Sequence, residues 1–158
     1  MINIIRGNIF DYTSGYIVHQ CNCSGGFGAG MAGQVRTLYP EVANAYYKLY
    51  KESVDPRKTM LGSIQIVKTN KYPDLSIVNL FGQYGFRRER GDNTRYTDYE
   101  AFERAARKLL KEVPKHANIY FPLGIGCGNA NGSWPRVYKI LNKVFKDDTH
   151  RTFIVSLP

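Results

Sequence analysis

The sequence predicts one three-layer α/β/α domain with a mixed, mostly parallel central sheet. Segments rich in Ile, Val and Tyr alternate along the chain with segments whose apolar residues recur at helical spacing. This alternation is typical of a mostly parallel sheet with helices on both faces. Two of the strand segments run into glycine-rich loops, and the length of 158 residues suits a single domain over the range 1–158.

The first part of the chain predicts two strands followed by two helices. A polar turn separates the strands, and Pro40 divides the helices. We expect both helices on one face of the sheet. The predicted ranges are 2–6 and 16–20 for the strands, and 31–39 and 42–53 for the helices.

The second part of the chain predicts four more strands and two more helices. Residues 63–69 alternate as a strand does, with Ile64 and Ile66 facing one side and Gln65 and Val67 the other. Residues 75–81 are more continuously apolar, which is typical of an inner strand buried on both faces. The remaining predicted elements are strands at 117–122 and 152–157, and helices at 97–112 and 133–145. Thr97 and Glu100 form a predicted capping box for the first of these helices.

Composition and charge restrict the class of protein. Hydrophobic residues make up 43% and charged residues 22% of the chain, and no apolar run approaches the ~18 residues of a membrane span. We therefore expect a cytoplasmic protein, with no membrane partner, and a monomer. Lys and Arg total 22 against 13 acidic residues, a net charge of +9 that favours weak attraction to polyanions such as nucleic acid or pyrophosphates. The basic run at 87–90 is more typical of a solvated loop than of a binding patch.

The three cysteines do not form a pattern that binds metal or builds a disulfide framework. Cys21 and Cys23 lack the second pair of ligands that a structural zinc site needs, and Cys127 is far away in sequence. We expect free, packing thiols. The sequence predicts neither a metal site nor a cofactor.

Two loops are candidates for binding an anion. Residues 18–32 and 122–129 are each predicted to contain the end of a strand, a glycine-rich loop and the start of a helix. In a parallel sheet such loops lie at the carboxyl ends of strands, where backbone N–H groups and a helix N-terminus stabilise negative charge. Two loops of this kind could hold a pyrophosphate from both sides. Neither matches the motif of a nucleotide triphosphatase or a Rossmann domain.

The chain resembles the macro domain, an ADP-ribose-binding module, over nearly its whole length. Within that family it is most similar to the branch that holds the yeast ADP-ribose-1''-phosphate phosphatase and the terminal ADP-ribose protein glycohydrolase. The motifs that carry the resemblance are Arg6-Gly7-Asn8-Ile9, residues 17–32, Asn79-Leu80-Phe81-Gly82-Gln83, and residues 123–128 leading to Trp134.

The resemblance implies a cleft for ADP-ribose and a set of binding residues. Asn8 and Ile9 would meet the adenine, Asn22 would contact the distal ribose, and Phe81 and Gln83 would line the cleft after the middle strand. Backbone groups of the two loops would hold the two phosphates. The expected residues are Gly28, Gly30, Met31 and Ala32 in the first loop, and Gly124, Ile125, Gly126, Cys127 and Gly128 in the second.

Catalytic residues are harder to assign, because the chain departs from the family at three positions. Ala32 replaces an Asp of the domains that cleave ADP-ribose from acidic side chains, and Gln83 and Ala130 replace the Lys and Asp of the glycohydrolase branch. From the chemistry of phosphate-ester hydrolysis, Asn22 and His19 are the candidate catalytic groups. A buried His19 that only holds the loop is an equal alternative.

Three functions therefore stay open. The leading one is hydrolysis of ADP-ribose-1''-phosphate to ADP-ribose and phosphate. A non-catalytic reader of ADP-ribose is the second, favoured by the missing Asp and Lys. Removal of ADP-ribose from modified protein or nucleic acid is the third. The segment 82–95 is expected to influence substrate choice. Its sequence is interpreted either as a lid over the distal ribose or as a solvated loop.

Overall fold

Six strands form a single sheet in the computed structural model, which describes all residues from 1 to 158. The strands are β1 (Asn3–Arg6), β2 (Gly15–Gln20), β3 (Ile64–Lys68), β4 (Leu75–Leu80), β5 (Ile119–Pro122) and β6 (Thr152–Ser156). Their order across the sheet is β1-β6-β5-β2-β4-β3. Only β3 runs antiparallel to its neighbour, so the prediction of a mixed, mostly parallel sheet is confirmed.

Five α-helices cover the sheet. They are α1 (Gly30–Leu38), α2 (Pro40–Glu52), α3 (Pro56–Met60), α4 (Tyr99–Glu112) and α5 (Trp134–Val144). The buried side chains of α1 and α2 pack together in one apolar cluster, and those of α4 and α5 pack in a second cluster. Buried residues of β2 and β4 belong to both clusters, so helices lie on both faces of the sheet and the three-layer prediction is confirmed. None of the helices is both long enough and apolar enough to cross a membrane.

The two faces of the sheet explain the sequence patterns of β3 and β4. Ile64 and Ile66 pack towards the cluster of α4 and α5, and Val67 packs towards the other cluster, as their alternation predicts. All six residues of β4 are buried, because this strand lies between β2 and β3 with helices on both faces. Strands β5, β2 and β4 are neighbours, so the segments that follow them meet at one edge of the sheet.

The structure corrects one predicted helix cap and adds two short elements. The cap of α4 is Asp98, whose carboxylate accepts a hydrogen bond from the Ala101 N–H, so the predicted capping box of Thr97 and Glu100 is wrong. Thr97 instead donates to a distant loop. The one-turn helix α3 and a short 3-10 helix at Ile9–Asp11 were not predicted, because single turns show no hydrophobic period. The other bounds agree within one or two residues.

Candidate functional site

A cavity of about 610 Å³ lies at the edge of the sheet where β5, β2 and β4 end. Its volume is in the range of small-molecule sites. Both glycine-rich loops line it, so the structure brings together the two segments that the sequence singled out. The predicted site residues in its wall are His19, Asn22, Gly28, Gly30, Met31, Ala32, Gln83, Gly124, Ile125, Gly126 and Gly128.

Four predicted site residues do not line this cavity. Asn8 is exposed, and its side-chain oxygen accepts a hydrogen bond from the Phe10 N–H at the start of the 3-10 helix. Ile9 is buried in the apolar cluster of α1 and α2. Phe81 is completely buried in the same cluster. Cys127 is half-buried, and its thiol donates to the Ile125 carbonyl at 3.4 Å. Its side chain packs against the α4 and α5 cluster instead of lining the cavity.

The side chain of Asn22 organises the first loop from inside. Its Nδ2 donates to the Gly26 carbonyl at 2.7 Å, and its Oδ1 accepts from the backbone N–H groups of Ser24 and Gly26 at 3.0 and 3.2 Å. The buried hydroxyl of Tyr46 also donates to this Oδ1, at 2.8 Å. Asn22 is only 8% exposed, so its hydrogen-bonding groups are directed mainly at the loop that surrounds it.

Beyond Asn22 the first loop runs directly into the N-terminus of α1. The cap residue, Ala29, offers no side-chain acceptor, and the first turn of the helix holds no acidic residue. The backbone N–H groups of Gly30, Met31 and Ala32 have no acceptor within the protein. Unpaired donors together with the helix dipole favour a bound anion at this position.

The second loop offers further backbone donors. Gly124 and Gly126 have φ values of +80° and +79°, which favour glycine. The Gly126 carbonyl accepts hydrogen bonds from the Thr97 hydroxyl at 2.7 Å and the Gly132 N–H at 2.8 Å. The N–H groups of Gly126 and Gly128 have no protein acceptor. The cavity therefore has unpaired backbone donors on both of the loops that line it.

Gln20 and Phe86 are parts of the cavity that the sequence analysis missed. Gln20 ends β2, and its Nε2 donates to Gln83 Oε1 and to Thr97 Oγ1, both at 2.9 Å. Phe86 lies so close to Gly26 that a Cβ there would be 2.5 Å from the ring. The sequence features that could have identified them are a polar residue at the end of a strand, for Gln20, and a single large apolar side chain among glycines and arginines, for Phe86.

Charged side chains are absent from the wall of the cavity, which holds no Asp, Glu, Lys or Arg. Burial lowers the pKa of His19 from 6.5 to about 4, so this imidazole is neutral near pH 7. Its Nε2 lies 2.6 Å from Asn79 Oδ1, and Asn79 in turn donates to Gln65 Oε1 at 3.0 Å. His19 is 1% exposed and is held by these contacts, which fit a positioning role.

Residues 83–97, the rim segment, connect β4 to α4 and cross the mouth of the cavity. Gln83 and Thr97 pair as an antiparallel bridge, which closes the segment into a loop. Its outer part contacts the second glycine loop, because Asn131 Nδ2 donates to the Asn93 carbonyl at 2.8 Å. Arg87 Nη2 likewise donates to Asn129 Oδ1 at 3.3 Å. The rim segment is therefore joined to the wall of the cavity.

Comparisons with known proteins identify the fold. No protein-family model matches the chain. The chain is 30% identical over 71 residues to the ADP-ribose 1''-phosphate phosphatase of Meyerozyma guilliermondii, a match that spans 43% of this chain and only 41% of that protein. The macrodomain of Mycobacterium tuberculosis DarG matches the structure with a TM-score of 0.77 at 22% identity, covering 100% of this chain and 98% of that one.

Thermosipho africanus DarTG in complex with ADP-ribose is another structural match. Its TM-score is 0.74 at 15% identity, and the match covers 100% of this chain and 42% of that chain. The chain therefore has the macrodomain fold, which is the class of protein that the sequence motifs resemble.

Proposed function

We propose that this protein binds ADP-ribose in the cavity between its two glycine-rich loops and hydrolyses ADP-ribose-1''-phosphate to ADP-ribose and phosphate. The observation that carries the proposal is the set of unpaired backbone N–H groups on both loops. A diphosphate has acceptor oxygens on two phosphorus atoms, so it suits two facing sets of donors. The names of the Meyerozyma relative and of the Thermosipho complex support the same ligand class.

The order of the strands suggests how the ligand lies. Asn8 and Ile9 follow β1 at one edge of the sheet, whereas Gln83 and Phe86 follow β4, beyond β2 on the opposite side of the cavity. If the adenine lies towards Asn8, as the macro-domain resemblance implies, the distal ribose lies towards Phe86 and the rim segment. The 1''-phosphate would then be at the mouth of the cavity, where water has access.

In this proposal the backbone donors and the shape of the cavity bind and position the substrate, and this accounts for most of the catalysis. Hydrolysis of the ester requires attack of water on phosphorus, loss of the ribose oxygen and transfer of a proton to that oxygen. The N–H groups of the loops position the diphosphate, and Asn22 maintains the loop beside the ribose. His19 acts through Asn79 and the loop rather than as an acid, because its imidazole is neutral and hydrogen-bonded.

A reader that binds ADP-ribose without turnover is the second candidate. The observation that favours it is the absence of any Asp, Glu, Lys or Arg in the wall of the cavity. A binding site needs only the backbone donors, whereas general acid–base catalysis normally uses an ionisable side chain near the reacting atoms.

Calorimetry followed by a phosphate-release assay tests both candidates. We expect ADP-ribose to bind at least about tenfold more tightly than ADP or NAD, since ADP lacks the distal ribose and NAD carries a nicotinamide on it that the cavity would have to accommodate. Release of inorganic phosphate from ADP-ribose-1''-phosphate would support the hydrolase. Tight binding without phosphate release would support the reader, and no heat with any of the three ligands would contradict both. Asn22→Ala should weaken ADP-ribose binding, with Asn44→Ala on the exposed face of α2 as the control.

A further inference from the structure

The cationic side chain of Arg87 reaches the wall of the cavity from the rim segment. Its Nη2 donates to Asn129 Oδ1 at 3.3 Å, and Asn129 belongs to the wall of the cavity. The residue before it, Phe86, also lines the cavity and covers Gly26 of the first loop. The side chains of residues 86 and 87 therefore contact both glycine-rich loops.

The charge of Arg87 has no ion-pair partner. The ion pairs of the structure involve only Glu103 and Asp148 as acids. Hydrogen bonds from Tyr96 and Thr94 lower the pKa of Asp92, with a smaller contribution from the charge of Arg87, but Asp92 and Arg87 do not form a salt bridge. The guanidinium donors that Asn129 does not use are free for a ligand.

The neighbouring arginines are differently placed. The Arg88 guanidinium lies over the ring of Phe86 at 4.8 Å, and Arg57 lies over the ring of Tyr84 at 4.3 Å. Both line a neighbouring hollow that shares Phe86 with the cavity but does not include Asn129, α1 or α5. Arg90 is exposed and makes no hydrogen bond or ion pair. Only Arg87 reaches from the rim segment to the wall of the cavity.

The rim segment is anchored well enough to position such a side chain. Gln20 Nε2 donates to Gln83 Oε1 at one end of the segment and to Thr97 Oγ1 at the other. The Tyr84 N–H donates to the Tyr96 carbonyl at 3.2 Å, and Asn131 holds the Asn93 carbonyl. Anchored backbone reduces the entropy that Arg87 loses when it contacts a ligand.

We propose that Arg87 recognises a phosphomonoester on the distal ribose and gives the site its preference for ADP-ribose-1''-phosphate over ADP-ribose. The inference rests on the proposed function, which puts the distal ribose beneath the rim segment. No side chain in the wall of the cavity is cationic, although the Arg36 guanidinium lies beside Gly28 of the first loop. The diphosphate therefore depends mainly on backbone donors, and the additional phosphate meets Arg87. A guanidinium binds a phosphate through two parallel charge-assisted hydrogen bonds, which a neutral side chain cannot replace.

The test compares Arg87→Gln with Arg90→Gln, which removes the same charge from the same segment. Each variant and the wild type are titrated at physiological salt with ADP-ribose and with its non-hydrolysable 1''-phosphonate analogue. We expect Arg87→Gln to weaken binding of the phosphonate about tenfold or more while ADP-ribose changes less than about twofold. Arg90→Gln should change neither affinity by more than about twofold.

Two results would overturn the inference alone, with the proposed function intact. In the first, wild-type protein binds ADP-ribose and Arg87→Gln behaves as Arg90→Gln does with both ligands. In the second, Arg87→Gln weakens both ligands equally, which would make Arg87 a contact of the common ADP-ribose part. Failure of the wild type to bind ADP-ribose at all would instead overturn the proposed function and this inference together.

Discussion

The hydroxyl of Tyr46 donates a hydrogen bond to Asn22 Oδ1 at 2.8 Å, and this contact connects helix α2 to the first glycine-rich loop. The same hydroxyl accepts from the Gly25 N–H at 3.0 Å. Tyr46 is fully buried in the apolar cluster of α1 and α2, and its hydroxyl joins that cluster to the polar groups of the loop. The shape of the proposed phosphate site is therefore coupled to the packing of a helix that does not line the cavity.

Tyr46→Phe should destabilise the protein and weaken ADP-ribose binding. The substitution leaves the Gly25 N–H without its acceptor and removes a donor to Asn22, at a cost of about 1–2 kcal/mol in unfolding free energy. Urea unfolding measures the first effect and calorimetry the second. Tyr47→Phe is the matched control, since its hydroxyl makes only a 3.5 Å contact with the Phe27 carbonyl. Equal effects of the two substitutions would contradict this role of Tyr46.

Three glycine-to-alanine substitutions in the second loop should separate backbone strain from crowding. Gly126 has a φ of +79° and an added Cβ would lie 3.0 Å from Gln20 Oε1, whereas Gly124 has a φ of +80° with open space around it. Gly128 has neither a positive φ nor a close neighbour. We expect Gly126→Ala to lose the most stability, Gly124→Ala about 1 kcal/mol, and Gly128→Ala less than about 0.5 kcal/mol. Thermal unfolding of the three variants checks this order.

Gln20→Leu should loosen the rim segment without unfolding the sheet. The substitution removes the amide that holds Gln83 and Thr97, leaving their acceptor oxygens with fewer partners. It also removes Gln20 Oε1, a buried oxygen that has no hydrogen-bond partner. These two effects partly offset each other, so we expect a stability loss under about 2 kcal/mol. Proteolysis within the rim segment should be faster, with exposed Gln34→Leu as the control. Unchanged proteolysis would argue against this anchor.

The sequence predicts the sheet and its covering helices because their hydrophobic periods are long and regular. The predicted cap of α4 is wrong because it depends on a long-range contact, which a local sequence pattern does not contain. Thr97 and Glu100 have the spacing of a capping box, but the Thr97 hydroxyl is used by the Gly126 carbonyl, which comes close only in the folded chain. Asp98 is then the residue whose side chain caps the helix.

The candidate site also has a part that the sequence predicts and a part that it does not. The two glycine loops are visible in the sequence because each has a local signature of strand, loop and helix. Gln20, Phe86 and Arg87 are not, because each acts on a partner more than forty residues away or across the cavity. The family resemblance implies that Asn22 contacts the ligand, yet its hydrogen bonds are mainly to its own loop. Long-range side-chain contacts of this kind have no sequence period.

The buried imidazole of His19 should make the protein less stable at mildly acidic pH. Burial lowers its pKa from 6.5 to about 4, so between these values the unfolded chain binds a proton that the folded chain does not. The contribution of His19 to stability should therefore be constant above about pH 7 and fall as the pH drops from about 6.5 to 4, with a loss of about 3 kcal/mol by the lower limit.

Urea unfolding at several pH values measures this slope, with His19→Gln as the comparison. Glutamine does not titrate, so the variant should be less stable at neutral pH because the contact with Asn79 is altered, but its stability should depend much less on pH between 4 and 6.5. His116→Gln tests for a general effect of losing a histidine, since that residue is exposed on the connection between α4 and β5. A wild-type slope that persists unchanged in His19→Gln would mean that other groups titrate in this range. The neutral, positioning role assigned to His19 would then lose its support.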